Sequence, residues 1–138
     1  LAARFGERRV YVRNGVERSG LVLARGVAIS KALLLATLGR GVRARARQAG
    51  VATNDGFSGA YDYAGDRRAP GELFSRFVQG ARDNTLVMCH PGYSDATLAA
   101  LDALTTPRET ELHYFLGPDW PRLLADNDLD LGPYRRIA

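Results

Sequence analysis

Residues 85–92, Thr85-Leu86-Val87-Met88-Cys89-His90-Pro91-Gly92, carry the reading of the fold. Thr85 to Cys89 is a continuous apolar run between a helical pattern and a turn. Such a run suits a parallel strand buried on both faces rather than a half-solvated antiparallel one. His90-Pro91-Gly92 ends it abruptly. Upstream, Leu73, Phe74, Phe77, Val78 and Ala81 make an apolar stripe that predicts a helix over 71–82. Downstream, Ser94 and Asp95 open a helix to about Leu104, with Ser94 as its N-cap. Thr106-Pro107-Arg108-Glu109 has the form of a capping box with proline at the first helical position. The helix it opens is stopped by Gly117-Pro118. A short helix at 121–125 and a strand at 131–135 complete this half.

Toward the N-terminus the same alternation continues. Residues 8–13 read as a strand ended by Asn14-Gly15. Val27, Leu34, Leu35, Leu38 and Val42 supply one side of a helix over 27–49, with Gly50 as its stop and Gly39 and Gly41 weakening its middle. Val51-Ala52-Thr53 is a short strand, and residues 54–59 read as a glycine-punctuated loop. Strands alternating with helices predict an α/β fold with a mainly parallel sheet and right-handed crossovers.

The 138 residues amount to one domain, or part of a larger one. The single cysteine, Cys89, excludes an internal disulfide framework and any CxxC zinc site. No apolar stretch approaches the roughly 20 residues of a membrane helix, and no secretory signal pattern is present, so the expectation is a cytoplasmic protein without a membrane partner. Residues 1–50 carry 11 Lys+Arg against 2 Asp+Glu, a net +9, and residues 51–138 carry 8 against 13, a net −5. Arg40, Arg43 and Arg47 share one helix face. That face suits a binding module that contacts nucleic acid or an acidic partner, or else a solvated arginine-rich surface. The scarcity of aromatics in the basic half makes nucleic acid the weaker expectation.

Few residues carry obvious chemistry. His90 falls at the C-terminal end of a buried strand, where reactive groups of α/β folds collect. Asp55 follows a predicted strand and is placed to share that cleft, or to form an Asx-turn. Phe57, Tyr61 and Tyr63 give the adjoining loop an aromatic character that suits a sugar or packs the loop. Cys89 reads as a buried core thiol and His113 as structural. Gly56-Phe57-Ser58-Gly59 is not a nucleophile elbow, and no phosphate-binding glycine loop occurs.

Two blocks extend this reading. Thr53-Asn54-Asp55-Gly56-Phe57-Ser58-Gly59-Ala60-Tyr61-Asp62-Tyr63, and Val87-Met88-Cys89-His90-Pro91-Gly92-Tyr93 followed by Asp95, resemble the YdjC-like carbohydrate deacetylases. Residues 108–112 and 131–135 resemble the C-terminal end of that family. The resemblance implies a (β/α) barrel-like fold, and an amide hydrolysis that releases acetate from an N-acetylated sugar or oligosaccharide. It also implies a divalent cation, usually Mg2+. The family's Thr-x-Asp-Asp-Phe-Gly and His-x-His-x-His motifs, which hold the metal, do not occur here. The chain therefore resembles the C-terminal portion of such a domain, with its N-terminal half and metal ligands outside it. What carries over is His90 as a catalytic-site histidine, with Asp55, Phe57 and Tyr61 as substrate wall. The isolated chain is expected to be inactive, and its unpaired sheet edge to favour a homodimer.

Overall fold

The structure, a computed structural model, describes residues 11–63, 68–102 and 105–132. Its elements follow in the order β1 (Tyr11–Val12), α1 (Ser19–Arg25), α2 (Ile29–Gln48), β2 (Ala52–Thr53), β3 (Gly56–Ser58), α3 (Pro70–Val78), β4 (Thr85–Val87), α4 (Ala96–Leu101), α5 (Thr106–Leu116) and α6 (Asp119–Asp126). All strand pairing is parallel: β1 lies on β2, with Tyr11 opposite Ala52, and β3 lies on β4, with Phe57 opposite Leu86. The α/β class and the parallel pairing match the alternation in the sequence. The described residues form two two-stranded sheets and six helices.

One buried amide clip explains why residues 52–58 form two strands rather than one. Asn54 Oδ1 accepts from Asn14 N–H at 2.9 Å, and Asn54 Nδ2 donates to the Asn14 and Gly56 carbonyls at 3.0 and 2.8 Å. Asn14 Nδ2 returns a bond to Asn54 O at 2.8 Å. Side chains thus take over the ladder bonds between the two pairs, and the side-chain amides of both Asn14 and Asn54 are satisfied. Beyond the clip the chain swaps its partner from β1 to β4. The predicted loop at 54–59 is corrected accordingly, because its centre is strand β3.

Gly59 ends β3 at φ +92°, and a Cβ there would come 2.1 Å from Met88 O. Only glycine permits this approach, and it brings the chains leaving β3 and β4 together at their C-terminal ends. The core beside them is aromatic. Phe74 on α3 is 1% exposed and packs its ring on Phe77, Tyr114, Phe115 and Trp120 at centroid distances of 5.5, 5.6, 4.8 and 5.8 Å. These contacts fix α5 and α6 against α3.

Helix boundaries differ from the periodic reading in informative ways. The apolar segment before Gly26 forms a separate helix, α1, because Gly26 adopts φ 64° and caps it. Leu34, Leu38 and Val42 of α2 are exposed and its inward contacts are made by Ala36, Gly39 and Ala46. Small residues let α2 approach closely, and Gly39 faces the backbone of Gly15 and Val16. Asp95, not Ser94, caps α4, its Oδ1 accepting from Leu98 N–H at 2.7 Å. The capping box before α5 does not close: Glu109 Oε1 accepts from Ser94 N–H at 2.9 Å instead. Residues 85–87 are half-buried rather than sealed on both faces. Leu131 and Gly132 are not in a strand, and the rest of the predicted strand at 131–135 lies outside the described residues, as do residues 8–10 of the strand predicted at 8–13 and residues 103–104 of the helix predicted to about Leu104.

Candidate active site

Three segments meet beyond the C-terminal ends of β3 and β4. Residues 59–63 leave β3, residues 88–92 leave β4, and α5 is bonded to both exits. Their meeting point is Glu111. It sits among the aromatic residues of α5 and is 2% exposed. Its Oε1 accepts the Tyr61 hydroxyl at 2.7 Å and its Oε2 accepts the His90 backbone N–H at 2.5 Å. A buried carboxylate needs such charge-assisted partners, and these two tie it to both strand exits at once.

His90 is half-buried, three residues past the end of β4. Its Nδ1 is hydrogen-bonded to the Tyr63 hydroxyl, and the two rings meet edge-on with centroids 5.1 Å apart at 89°. Tyr63 packs on Tyr61 at 3.9 Å between centroids and lies under Lys31, whose Nζ also donates to Tyr61 O at 2.9 Å. Burial, reinforced by the Glu111 carboxylate, pushes the Tyr63 phenol well above the ordinary tyrosine range. The phenol is therefore neutral and keeps its proton at all physiological pH values. A cleft of about 380 Å³ opens beside this cluster, bounded by Tyr61, Tyr63, Arg68, Thr106, Thr110 and Glu111. It combines aromatic faces with hydroxyl and guanidinium groups, a wall suited to a polar ring-shaped ligand.

The sequence-predicted residues divide clearly. His90 and Tyr61 are brought together through Glu111. Asp55 is not. Its N–H donates to Asn84 O at 3.1 Å, which sets it at the N-terminal end of the β3–β4 pair, opposite to His90. Because residues 56–58 are strand, Asp55 precedes β3 instead of ending a strand at the cleft, and its carboxylate meets Arg43 at 3.5 Å and Asn84 at 3.3 Å. Phe57 is buried within β3, and its backbone carbonyl accepts from Arg25 at 3.4 Å. It packs the fold and does not line the cleft; His90 does not line it either and is joined to it through Tyr63 and Glu111. Cys89 is exposed rather than a core thiol, because β4 has ended two residues before it. Partial desolvation of the thiol and the nearby Glu111 carboxylate raise its pKa. His113 lies on the exposed side of α5. Of the arginine face, Arg40 and Arg47 are exposed, while Arg43 is engaged by Asp55.

Glu111 is the residue that sequence reasoning missed as a site member; Tyr63 was read only as part of the aromatic loop and not as a partner of His90. The signal for Glu111 was its position three and four residues before Tyr114 and Phe115, which places it on their inward side of α5. Charged neighbours Arg108 and Glu109 made the stretch read as solvated.

The cluster does not make a metal cage. Among the described residues no group of three or more His, Cys, Asp or Glu side chains is placed to hold an ion. Both Glu111 oxygens and His90 Nδ1 are already engaged by Tyr61, the His90 backbone and Tyr63. The divalent cation that the resemblance implies therefore does not fit this set. No described helix is long and apolar enough to cross a membrane.

Comparison with known proteins places the chain at the level of family. The family model for YdjC-like protein matches residues 1–126. Neither the curated proteins nor the solved structures give a match. With nine-tenths of its length matched, the chain belongs to the YdjC-like family, which is associated with carbohydrate-deacetylating hydrolases.

Proposed function

We propose that this chain forms the His90 side of a carbohydrate deacetylase site, within a (β/α) barrel-like domain that hydrolyses the acetamide of an N-acetylated sugar. The observation that carries the reading is the convergence of Tyr61, Tyr63, His90 and Glu111 at the strand exits beside an aromatic-walled cleft. Amide hydrolysis needs a donor for the oxyanion or for the departing amine, and a half-buried imidazole suits that task at neutral pH. Tyr61 and Tyr63 supply flat faces for a sugar ring. Glu111 holds the two strand exits in register, so that the imidazole and the aromatic wall keep a fixed spacing. A divalent cation, Mg2+ foremost, is held in this reading by groups other than the described cluster. The engagement of Arg43 by Asp55 weighs against a nucleic-acid-binding face.

The test is acetate release from N-acetyl-chito-oligosaccharide in the presence of Mg2+ or Zn2+, by this chain alone and by the same chain joined to the family's N-terminal metal-binding half. The joined protein is expected to turn over and its His90→Ala variant to lose at least roughly 100-fold in kcat/KM; the chain alone is expected to release none. Undiminished turnover in His90→Ala overturns the role of His90. Turnover by the chain alone overturns the placement of the metal site.

A further inference from the structure

We infer that Tyr63 is a positioning residue that fixes the tautomer of His90, holding Nδ1 as hydrogen-bond acceptor and leaving the ring proton on Nε2. A neutral imidazole has one donor and one acceptor nitrogen, and the partner of one nitrogen decides the state of the other. The partner of Nδ1 is the Tyr63 hydroxyl. Two arrangements satisfy that contact: the phenol donates to Nδ1, or Nδ1–H donates to the phenol oxygen. The second leaves the phenolic proton in need of another acceptor. Among the described residues the Tyr63 hydroxyl has no hydrogen-bond partner besides His90 Nδ1. The Glu111 carboxylate is turned to the Tyr61 hydroxyl and the His90 backbone. Burial favours the protonated phenol, and its bond to Nδ1 gives that proton an acceptor within the cluster.

The geometry is braced against rearrangement. Tyr63 packs on the Tyr61 ring, with Lys31 over its own ring, and meets the imidazole edge-on with its hydroxyl bonded to Nδ1. The His90 backbone is held independently through its N–H on Glu111. Backbone and ring are thus fixed by two different residues, Glu111 and Tyr63. The consequence for chemistry, which rests on the deacetylase reading, is that neutral His90 presents an N–H through Nε2. It acts as a hydrogen-bond donor toward a developing oxyanion or amine without first taking up a proton.

The test is nitrogen-15 NMR of the two histidine side chains in the full chain at about pH 8, above the ordinary imidazole pKa of about 6.5. His113, exposed on α5, serves as the internal reference for a freely averaging ring. His90 is expected to show an unprotonated Nδ1 and a protonated Nε2, with shifts at the limiting values of that single tautomer. Tyr63→Phe keeps the ring packing on Tyr61 but removes the donor, and should move both His90 shifts toward the averaged values of His113. A purely structural Tyr63 would leave the tautomer unchanged. A His90 proton on Nδ1, averaged shifts in the wild type, or shifts unaltered in Tyr63→Phe overturns the inference. Should the variant not fold, the wild-type spectrum decides by the first two criteria. None of these readouts uses turnover, so failure here is distinguishable from failure of His90→Ala to abolish acetate release.

Discussion

Replacing Glu111 tests the centre of the site most directly. Its carboxylate accepts two hydrogen bonds, from the Tyr61 hydroxyl at 2.7 Å and the His90 N–H at 2.5 Å. Each bond to a charged acceptor contributes about 1.5–3 kcal/mol. Glu111→Ala removes both and opens a void between α5 and the strand exits. Relief of the buried carboxylate's desolvation offsets part of the loss. The net cost is about 3 kcal/mol, a lowering of Tm by roughly 10 °C for a chain of this size. Glu111→Gln is the discriminating partner. Its amide oxygen still accepts from the His90 N–H, and its amide nitrogen donates to a Tyr61 hydroxyl that has rotated to accept. That exchange costs about 1 kcal/mol. Urea unfolding followed by Trp120 fluorescence reads the α3–α5–α6 aromatic cluster, in which Trp120 lies 4.9 Å from Phe115. An alanine variant within about 1 kcal/mol of wild type, or a glutamine variant as damaged as the alanine one, refutes the view that this carboxylate joins the two strand exits.

Further outcomes follow from other parts of the structure. Phe74→Ala, at a site 1% exposed, should cost about 3–5 kcal/mol in the same urea assay. Gly59→Ala forces a side chain to φ +92° against Met88 O and should cost at least about 3 kcal/mol, read as a fall in Tm together with loss of amide exchange protection along β3 and β4. The raised phenol of Tyr63 favours its neutral form in the folded state. Its contribution is fully present below the ordinary tyrosine pKa of about 10 and is lost as pH rises through the folded value; urea midpoints should fall above pH ~10, less steeply in Tyr63→Phe. DNA and RNA should bind only weakly at physiological salt, and Arg43→Glu should leave the salt slope essentially unchanged, as measured by fluorescence anisotropy.

What the sequence determined by itself is local. The stripe of Leu73, Phe74, Phe77 and Val78 can be buried only on one helix face, and those four are the buried residues of α3. The apolar run before His90 requires a strand between two helices, and it pairs in parallel as alternation with helices demands. Gly117 and Pro118 stop α5 at Leu116 as the sequence predicts, whereas β4 already ends at Val87, before Pro91 and Gly92. Tertiary structure decided what no window could contain. Whether Asp55 ends one strand or begins another depends on an amide clip with Asn14, 40 residues away. Glu109, expected to close its own capping box, is drawn instead to the Ser94 N–H, 15 residues away. The cleft is assembled by bonds spanning 50 residues between Tyr61 and Glu111, 27 between Tyr63 and His90, and 21 between His90 and Glu111. A glutamate in a charged stretch looks solvated until two donors from separate strands arrive to satisfy it, and burial of that charge is stable only once all three segments are in place.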